Sequence, residues 1–249
     1  MTGNACQICG GTAFTTLVVQ RGYDWCRCTG CGLVRLREMP AADAPDPIAE
    51  DAWAEGYIDS YRARAERKFK RSLGRIRRLK RRMPGPDLLD IGSNVGFLVE
   101  AARQEGLAPV GVELNPRLVR AARAMFPECR FHEGRLEEID FGDRRFDAAY
   151  CSEVIEHVPD CGGLLRRIAG LLRPGGVLFL TTPHVREYLR GGDPARWRDF
   201  GAPDHKLYFD DRTITRLLEQ SGFTDVRIEF SFWRGLKLYA RPAPRPAPP

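Results

Sequence analysis

Three groups of residues in this chain have types and spacings that can do chemistry. Cys6-x-x-Cys9-Gly10 and Cys28-x-x-Cys31-Gly32 are two copies of one turn, in which glycine permits the tight backbone and four thiolates face a single tetrahedral centre. Such a site suits structural Zn²⁺, because four protein ligands leave no position open for reaction. A redox dithiol is the rival reading, and Cys26, a fifth thiol nearby, is assigned to the strand entering the second knuckle. The second group is Leu88-Leu89-Asp90-Ile91-Gly92-Ser93-Asn94-Val95-Gly96, followed by Val110-Gly111-Val112-Glu113. A strand running into a glycine turn and a helix N-terminus brings backbone close to a ligand, and an acid about 20 residues later grips ribose hydroxyls. The third group is Glu153, Glu156 and His157; on a helical turn, carboxylates three apart face the same way with the imidazole beside them.

The glycine loop discriminates between ligands. Gly92 and Gly96 stand four apart with Asn94 between them, which departs from the Gly-x-Gly-x-x-Gly of a pyrophosphate cradle. An acid ahead of the loop is also a poor neighbour for phosphates, whereas Asp90 can orient the charged amino group of a methionine moiety. Charge therefore favours S-adenosylmethionine over a dinucleotide.

This segment resembles motif I of the class I S-adenosylmethionine-dependent methyltransferases, and three later segments continue the resemblance in order over residues 85 to 240. Glu133-Gly134-Arg135-Leu136-Glu137 falls where the family contacts adenine. Phe146 to Val158 resembles the fourth strand and the loop beside the methyl donor, and Leu171 to Leu178 the turn into the fifth strand. The resemblance implies an α/β fold: a Rossmann-like seven-stranded sheet with helices on both faces, one strand antiparallel and supplied by Leu236–Ala240. It further implies S-adenosylmethionine held by Asp90, Gly92, Ser93, Asn94, Gly96, Phe97, Glu113, Leu114, Arg135, Leu136, Cys151 and Ser152. Asn94 departs from the family's middle glycine, but Gly-Ser-Asn-x-Gly resembles the loop of zinc-domain sugar C-methyltransferases. Cys-Gly-Leu-Val after the second knuckle resembles the ribbon preceding several bacterial methyltransferases that act on sugars and natural products.

Glu-x-x-Glu-His resembles the divalent-metal site of methyltransferases that O-methylate ubiquinone precursors or 2′-O-methylate small-RNA ends. Both groups carry a later histidine in a segment like Asp204-His205-Lys206-Leu207-Tyr208-Phe209. Glu153, Glu156, His157 and His205 are thereby implied as catalytic residues that hold Mg²⁺ or Mn²⁺ and acidify a substrate hydroxyl. A metal-free general base at His157 or His205, or a structural role for the group, stays open beside it.

The elements that must position these groups follow from periodicity. Short β-like runs, Phe14–Val19 and Leu33–Leu36, accompany the cysteines. Strands are expected at Leu88–Ile91, Pro109–Glu113, Arg130–His132, Phe146–Cys151, Val177–Thr182 and Asp225–Phe230, and helices near 95–105, 117–126, 161–172 and 212–221. One long amphipathic helix is predicted from Trp53 to Met83, ended by Pro84 and Pro86 and basic on its outer faces. The chain thus divides into a zinc-ribbon-like module (1–38), a linker with the basic helix (39–84), the S-adenosylmethionine-binding domain (85–240) and a disordered proline-rich tail (241–249).

The 249 residues, 43% of them hydrophobic, suffice for a real core. A formal net charge of +6 permits an anionic partner without choosing one. No apolar run reaches the roughly 20 residues of a bilayer span, and Met1 to Cys9 lacks a signal-peptide pattern, so a soluble, cytoplasmic protein without a membrane partner is expected. The leading reading is an enzyme that O-methylates a small molecule, a sugar or natural-product intermediate, with Glu187 to Pro203 and the long helix as acceptor walls. An RNA methyltransferase using the ribbon and the basic helix is the alternative, and a non-enzymatic binding module of the same fold is a third.

Overall fold

Alternating apolar residues build three strands around the cysteines: β1 (Phe14–Gln20), β2 (Tyr23–Cys28) and β3 (Val34–Leu36). Two helices follow, α1 (Ala54–Arg62) and α2 (Ala65–Lys80). Strand and helix then alternate: β4 (Asp87–Ile91), α3 (Phe97–Gln104), β5 (Ala108–Glu113), α4 (Pro116–Met125), β6 (Arg130–Glu133), β7 (Phe146–Ser152), α5 (Cys161–Leu171) and β8 (Leu172–Thr182). The chain continues through β9 (Leu207–Tyr208), α6 (Asp211–Gln220), β10 (Phe223–Ile228) and β11 (Leu236–Pro242). This computed structural model describes residues 5–40, 54–189, 197, 200–229 and 235–244. The part of the 39–84 linker that precedes the helix lies mostly outside them, as do Trp53, much of the expected acceptor wall at 187–203 and the last five residues of the tail.

The alternating part forms a seven-stranded sheet in the order β10-β11-β8-β7-β4-β5-β6. β4 is parallel to β5, with Asp90 opposite Gly111, and parallel to β7, with Ile91 opposite Cys151. Strand order reverses between β4 and β7, the switch point beyond whose carboxyl ends open α/β sheets bind ligands. Leu88, Leu89, Val110, Ala148 and Ala149 are buried, which accounts for the near-continuous apolar runs of these strands. Helix α3 packs on β5, and α4 on β6. The expected strand at Leu236–Ala240 is present as β11 and runs on to Pro242, where Arg241 Nη1 donates to Gly175 O at 2.6 Å. β8 likewise starts earlier than expected, at Leu172, with Gly175 at φ 76° inside it.

The chain forms two compact units. One comprises Met1–Pro45, Ser152–Arg166 and Leu180–Ala240; the other comprises Asp46–Cys151, Arg167–Phe179 and Arg241–Pro249. In the first, β9 extends the cysteine-region sheet, giving the order β1-β2-β3-β9. Its core is aromatic: Trp25 stacks on Phe200 at 4.9 Å, and Tyr188 lies 4.3 Å from Tyr208.

In the second unit the predicted single helix is two. Arg64 leaves the helical region at φ −121°, ψ 21°, between α1 and α2. No proline or glycine forces this break. A straight helix over these residues would extend about 40 Å, yet Tyr57 and Ile58 of α1 and Ala65 and Phe69 of α2 all join one cluster with Val95, Phe97 and Leu118. Burial of both apolar sets in one place outweighs helical continuity. The basic face of α2 is partly used locally: Arg77 pairs with Glu105 at 2.7 Å, and Lys68 lies 3.5 Å over the Tyr61 ring. Among the described residues no helix is long and apolar enough to cross a membrane.

Candidate functional site

The glycine loop leaves β4 through Gly92 at φ 71°, passes Asn94 at φ 55° and enters α3 at Gly96, φ 84°. Its backbone is anchored from β5: Gly92 N and Ser93 N both donate to Val112 O, at 2.9 and 3.0 Å. Glu113 holds the loop from its side chain, Oε2 accepting from Asn94 N and Oε1 from Asn115 N, each at 2.9 Å. Burial raises the Glu113 carboxyl, while these amides pull it back down. Asp90 is also buried, and its carboxyl is raised by that burial and by the charge of Glu113.

Asn94 earns its place where glycine was expected. Asparagine tolerates the left-handed region, its Oδ1 accepts from Val95 N at 2.8 Å, and its Nδ2 donates to Tyr57 OH at 2.8 Å. Tyr57 thus belongs to the loop, a role that periodicity, which counts it only as an apolar helix position, does not reveal. Helix α4 starts at Pro116, and Asn115 caps it, its side chain accepting from Arg117 N and Leu118 N. Phe97 opens α3 with its ring buried beside Val95 and Leu118. Gly134 N, after β6, donates to Glu113 O at 2.9 Å, which brings the Arg135–Leu136 turn to the end of β5; Leu136 is buried, and Leu114 follows Glu113 directly. Cys151 is buried at the end of β7.

Gly96 admits no side chain. A Cβ there would lie 2.6 Å from Phe131 Cζ, in a backbone region that L residues rarely adopt. Gly96→Ala is expected to cost about 2–4 kcal/mol from left-handed strain and overpacking, read as a lower urea midpoint with unchanged m. A wild-type midpoint would refute the close packing of Phe131 on this turn.

The third group converges differently from expectation. Residues 153–157 are not a helical turn: Glu153 sits at φ 56°, and His157 N closes a tight turn onto Val154 O at 2.9 Å. Ser152 Oγ meets Thr181 Oγ1 at 2.7 Å, and Thr181 Oγ1 donates to Glu153 Oε1 at 2.8 Å. Glu153 is therefore not among the clustered ligand atoms, which come from Glu156, His157 and His205 and lie within 4.8 Å of one another. Glu156 is fully buried; Oε2 accepts from Thr182 Oγ1 at 3.0 Å, and among the described residues Oε1 has no hydrogen-bond partner. Burial, reinforced by the charge of Glu153, pushes its carboxyl well above the usual range.

Hydrogen bonds fix the tautomers of both histidines. His157 Nδ1 donates to Asp204 O at 3.0 Å, which puts its lone pair on Nε2, 4.0 Å from Glu156 Oε1. Tyr208 OH donates its proton to Phe200 O, so at 2.7 Å His205 Nδ1 is the donor to Tyr208 and carries its lone pair on Nε2. The rings meet edge to face at 4.7 Å. Burial, then the charge His157 carries when protonated, lowers His205 to about 4 and keeps it neutral. His184 instead caps a short turn, accepting from Arg186 N at 2.9 Å.

The cysteine knuckles are two matching turns. Gly10 N donates to Cys6 O and Cys6 N to Gly11 O, both at 2.8 Å; Gly32 N donates to Cys28 O and Cys28 N to Leu33 O, both at 2.9 Å. Gly10 and Gly32 hold φ 70° and 87°. Sγ–Sγ distances of 3.4 Å, Cys6 to Cys31 and Cys9 to Cys28, approach the roughly 3.8 Å edge of a Zn–thiolate tetrahedron. Burial raises the Cys28 thiol, but the amides of Cys31 and Gly30 and the Cys9 thiol outweigh it and bring it to about 7. Cys26 lies on β2 outside this group.

Sheet order, anchored glycine loop and strand-end acid define a Rossmann-like α/β protein. The family model described as "Methyltransferase domain" matches residues 61–228, and the chain belongs to that family, the class I S-adenosylmethionine-dependent methyltransferases. A curated relative, the ubiquinone biosynthesis O-methyltransferase of Xanthomonas campestris pv. campestris strain B100, is 38% identical over 105 residues, 40% of this chain. The chain spans 44% of that relative's length. Among solved structures, DesVI of Streptomyces venezuelae superposes with a TM-score of 0.59 at 20% identity, covering 78% of this chain and all (100%) of DesVI. The glycopeptide N-methyltransferase MtfA, solved with S-adenosyl-L-methionine, gives 0.54 at 17% identity, covering 70% of this chain and 87% of MtfA.

Proposed function

We propose that this protein transfers the methyl group of S-adenosylmethionine to an oxygen of a small-molecule acceptor. The cofactor lies against the loop Asp90–Gly96, with Glu113 accepting its ribose hydroxyls, Asp90 facing its amino group, and Leu114, Arg135, Leu136, Cys151 and Ser152 lining its remaining edge. Supporting this are the family membership and the loop anchored on Glu113. Transfer is an in-line displacement: the S–CH₃ bond breaks as the O–CH₃ bond forms, and the acceptor hydroxyl gives up its proton.

The observation that carries the oxygen acceptor is the cluster of Glu156, His157 and His205. A buried carboxylate oxygen with no hydrogen-bond partner among the described residues, beside imidazoles whose lone pairs are both set on Nε2, suits a divalent cation, with Thr182, Asp204 and Tyr208 fixing the ligands from behind. Glu156, His157 and His205 would hold Mg²⁺ or Mn²⁺ there, which would supply a Lewis acid to lower the pKa of an acceptor hydroxyl. Without a cation, the same His157 Nε2 takes the hydroxyl proton directly. Zn²⁺ at Cys6, Cys9, Cys28 and Cys31 is structural. The partly neutralised face of α2 gives no specific support to an RNA acceptor.

The test screens phenols, sugars and RNA with S-adenosylmethionine, with and without added Mg²⁺ or Mn²⁺. His205→Ala and Glu156→Gln are expected to lower kcat by about 100-fold or more while cofactor affinity stays within about twofold. Full activity in both variants would remove the cluster from the reaction; a metal-independent wild-type rate would select His157 as the base.

A further inference from the structure

The first zinc knuckle and the third strand together grip both halves of the acceptor-side cluster, through residues that bind no metal. Gln7, between Cys6 and Cys9, reaches across 154 positions of sequence: its Oε1 accepts from Cys161 N at 3.0 Å. Its Nε2 donates to Pro159 O. Cys161 is the first residue of α5, where amides have no partner within the helix. Asp160 Oδ1 serves Gly163 N at 2.8 Å, and Gln7 serves Cys161 N. Pro159 stands two residues after His157, so the Gln7 amide fixes the exit of the turn that carries this histidine.

On the other side, β3 pairs antiparallel with β9, Val34 opposite Tyr208 and Arg35 opposite Leu207. Leu36 N donates to Lys206 O at 3.0 Å, and Lys206 N donates to Glu156 O at 2.8 Å. His205 directly precedes this ladder, and the Tyr208 hydroxyl within it accepts from His205 Nδ1. Trp25 of β2, fully buried, backs Tyr208 and Phe200.

We propose that Gln7 is a positioning residue: through Pro159 and Cys161 it holds His157 at the point where β3 holds His205, which makes the ribbon the frame of this cluster. The proposal rests on reading Glu156, His157 and His205 as the acceptor-side group. The ribbon then contributes to methyl transfer by geometry, without touching the acceptor or the methyl donor.

The test uses the full-length, zinc-loaded protein with Gln7→Ala and Gln7→Glu, with zinc content confirming an intact knuckle in each. Cys161 amide exchange is expected to quicken about tenfold in Gln7→Ala and to stay near wild type in Gln7→Glu, whose carboxylate still accepts that amide. Neither variant donates to Pro159 O at neutral pH, so both should shift the His157 imidazole ¹⁵N resonances. His132 and His184, the other two of the chain's four histidines, should not move, a pattern that general loosening would not give. Mn²⁺ alone serves as the probe of the cluster: the concentration that broadens His157 and His205 should rise about tenfold in both variants, the effect of one lost hydrogen bond in positioning a ligand. Wild-type Cys161 exchange together with wild-type His157 resonances in zinc-loaded Gln7→Ala overturns the proposal. Sharp His157 and His205 signals in wild-type protein with Mn²⁺ overturn the cation reading instead, while exchange and resonance position still decide the role of Gln7.

Discussion

Cys28→Ser protein is expected to hold no zinc and to lose the ordered fold of residues 5–36. This segment has a small core, Trp25, Leu33, Val34 and Leu36 among its few large buried side chains, and units of this size rarely fold without a metal or cross-links. Structural zinc supplies about 10 kcal/mol or more of folding free energy in comparable peptides, far above what this core provides. One serine removes a thiolate ligand, and the remaining three bind weakly. Trypsin should then cut at Arg21 and Arg27 at least about tenfold faster than in wild type, and β9 should lose its partner strand. Cys26→Ser is the control: Cys26 stands outside the four-thiol group, so its variant should retain zinc. A zinc-loaded, protease-resistant Cys28→Ser protein would show that Cys28 is not a ligand.

The second large effect is at Glu113. Its two carboxylate oxygens hold the amides of Asn94 and Asn115, and the same oxygens are the expected partners of the ribose hydroxyls. Glu113→Ala removes two charge-assisted bonds of about 1.5–3 kcal/mol each. It also releases the loop from its left-handed turn, so calorimetry should show S-adenosylmethionine affinity falling by about 100-fold or more. Glu113→Gln keeps one acceptor and should fall between. Asp90→Asn, which removes charge but not bulk, should weaken binding less than Glu113→Ala. An affinity within tenfold of wild type for Glu113→Ala would contradict the cofactor site drawn here.

Local signals carried the fold a long way. Gly92 and Gly96, Asp90 and Glu113, and the paired Cys-x-x-Cys-Gly turns all work through neighbours within a few residues or along adjacent strands, and the structure places them as their spacing implies. Where the reading missed, a long-range demand had overridden a local one. The helix at Trp53–Met83 breaks at Arg64 because two apolar faces share one cluster around Phe97, not because of any residue at the break. Glu153 leaves the expected ligand set because a turn, not a helix, follows β7, and Thr181 takes up its carboxylate.

The class of fold, the glycine loop and the four-cysteine cluster were legible in the chain alone, because turn chemistry and periodicity are set by residues close together in it. That Tyr57 holds Asn94, that Gln7 reaches Pro159 and Cys161, and that Tyr208 fixes the tautomer of His205 became visible with the folded chain. Those partners are brought together by strand order and by the docking of β9 on β3, which no periodicity within either segment encodes.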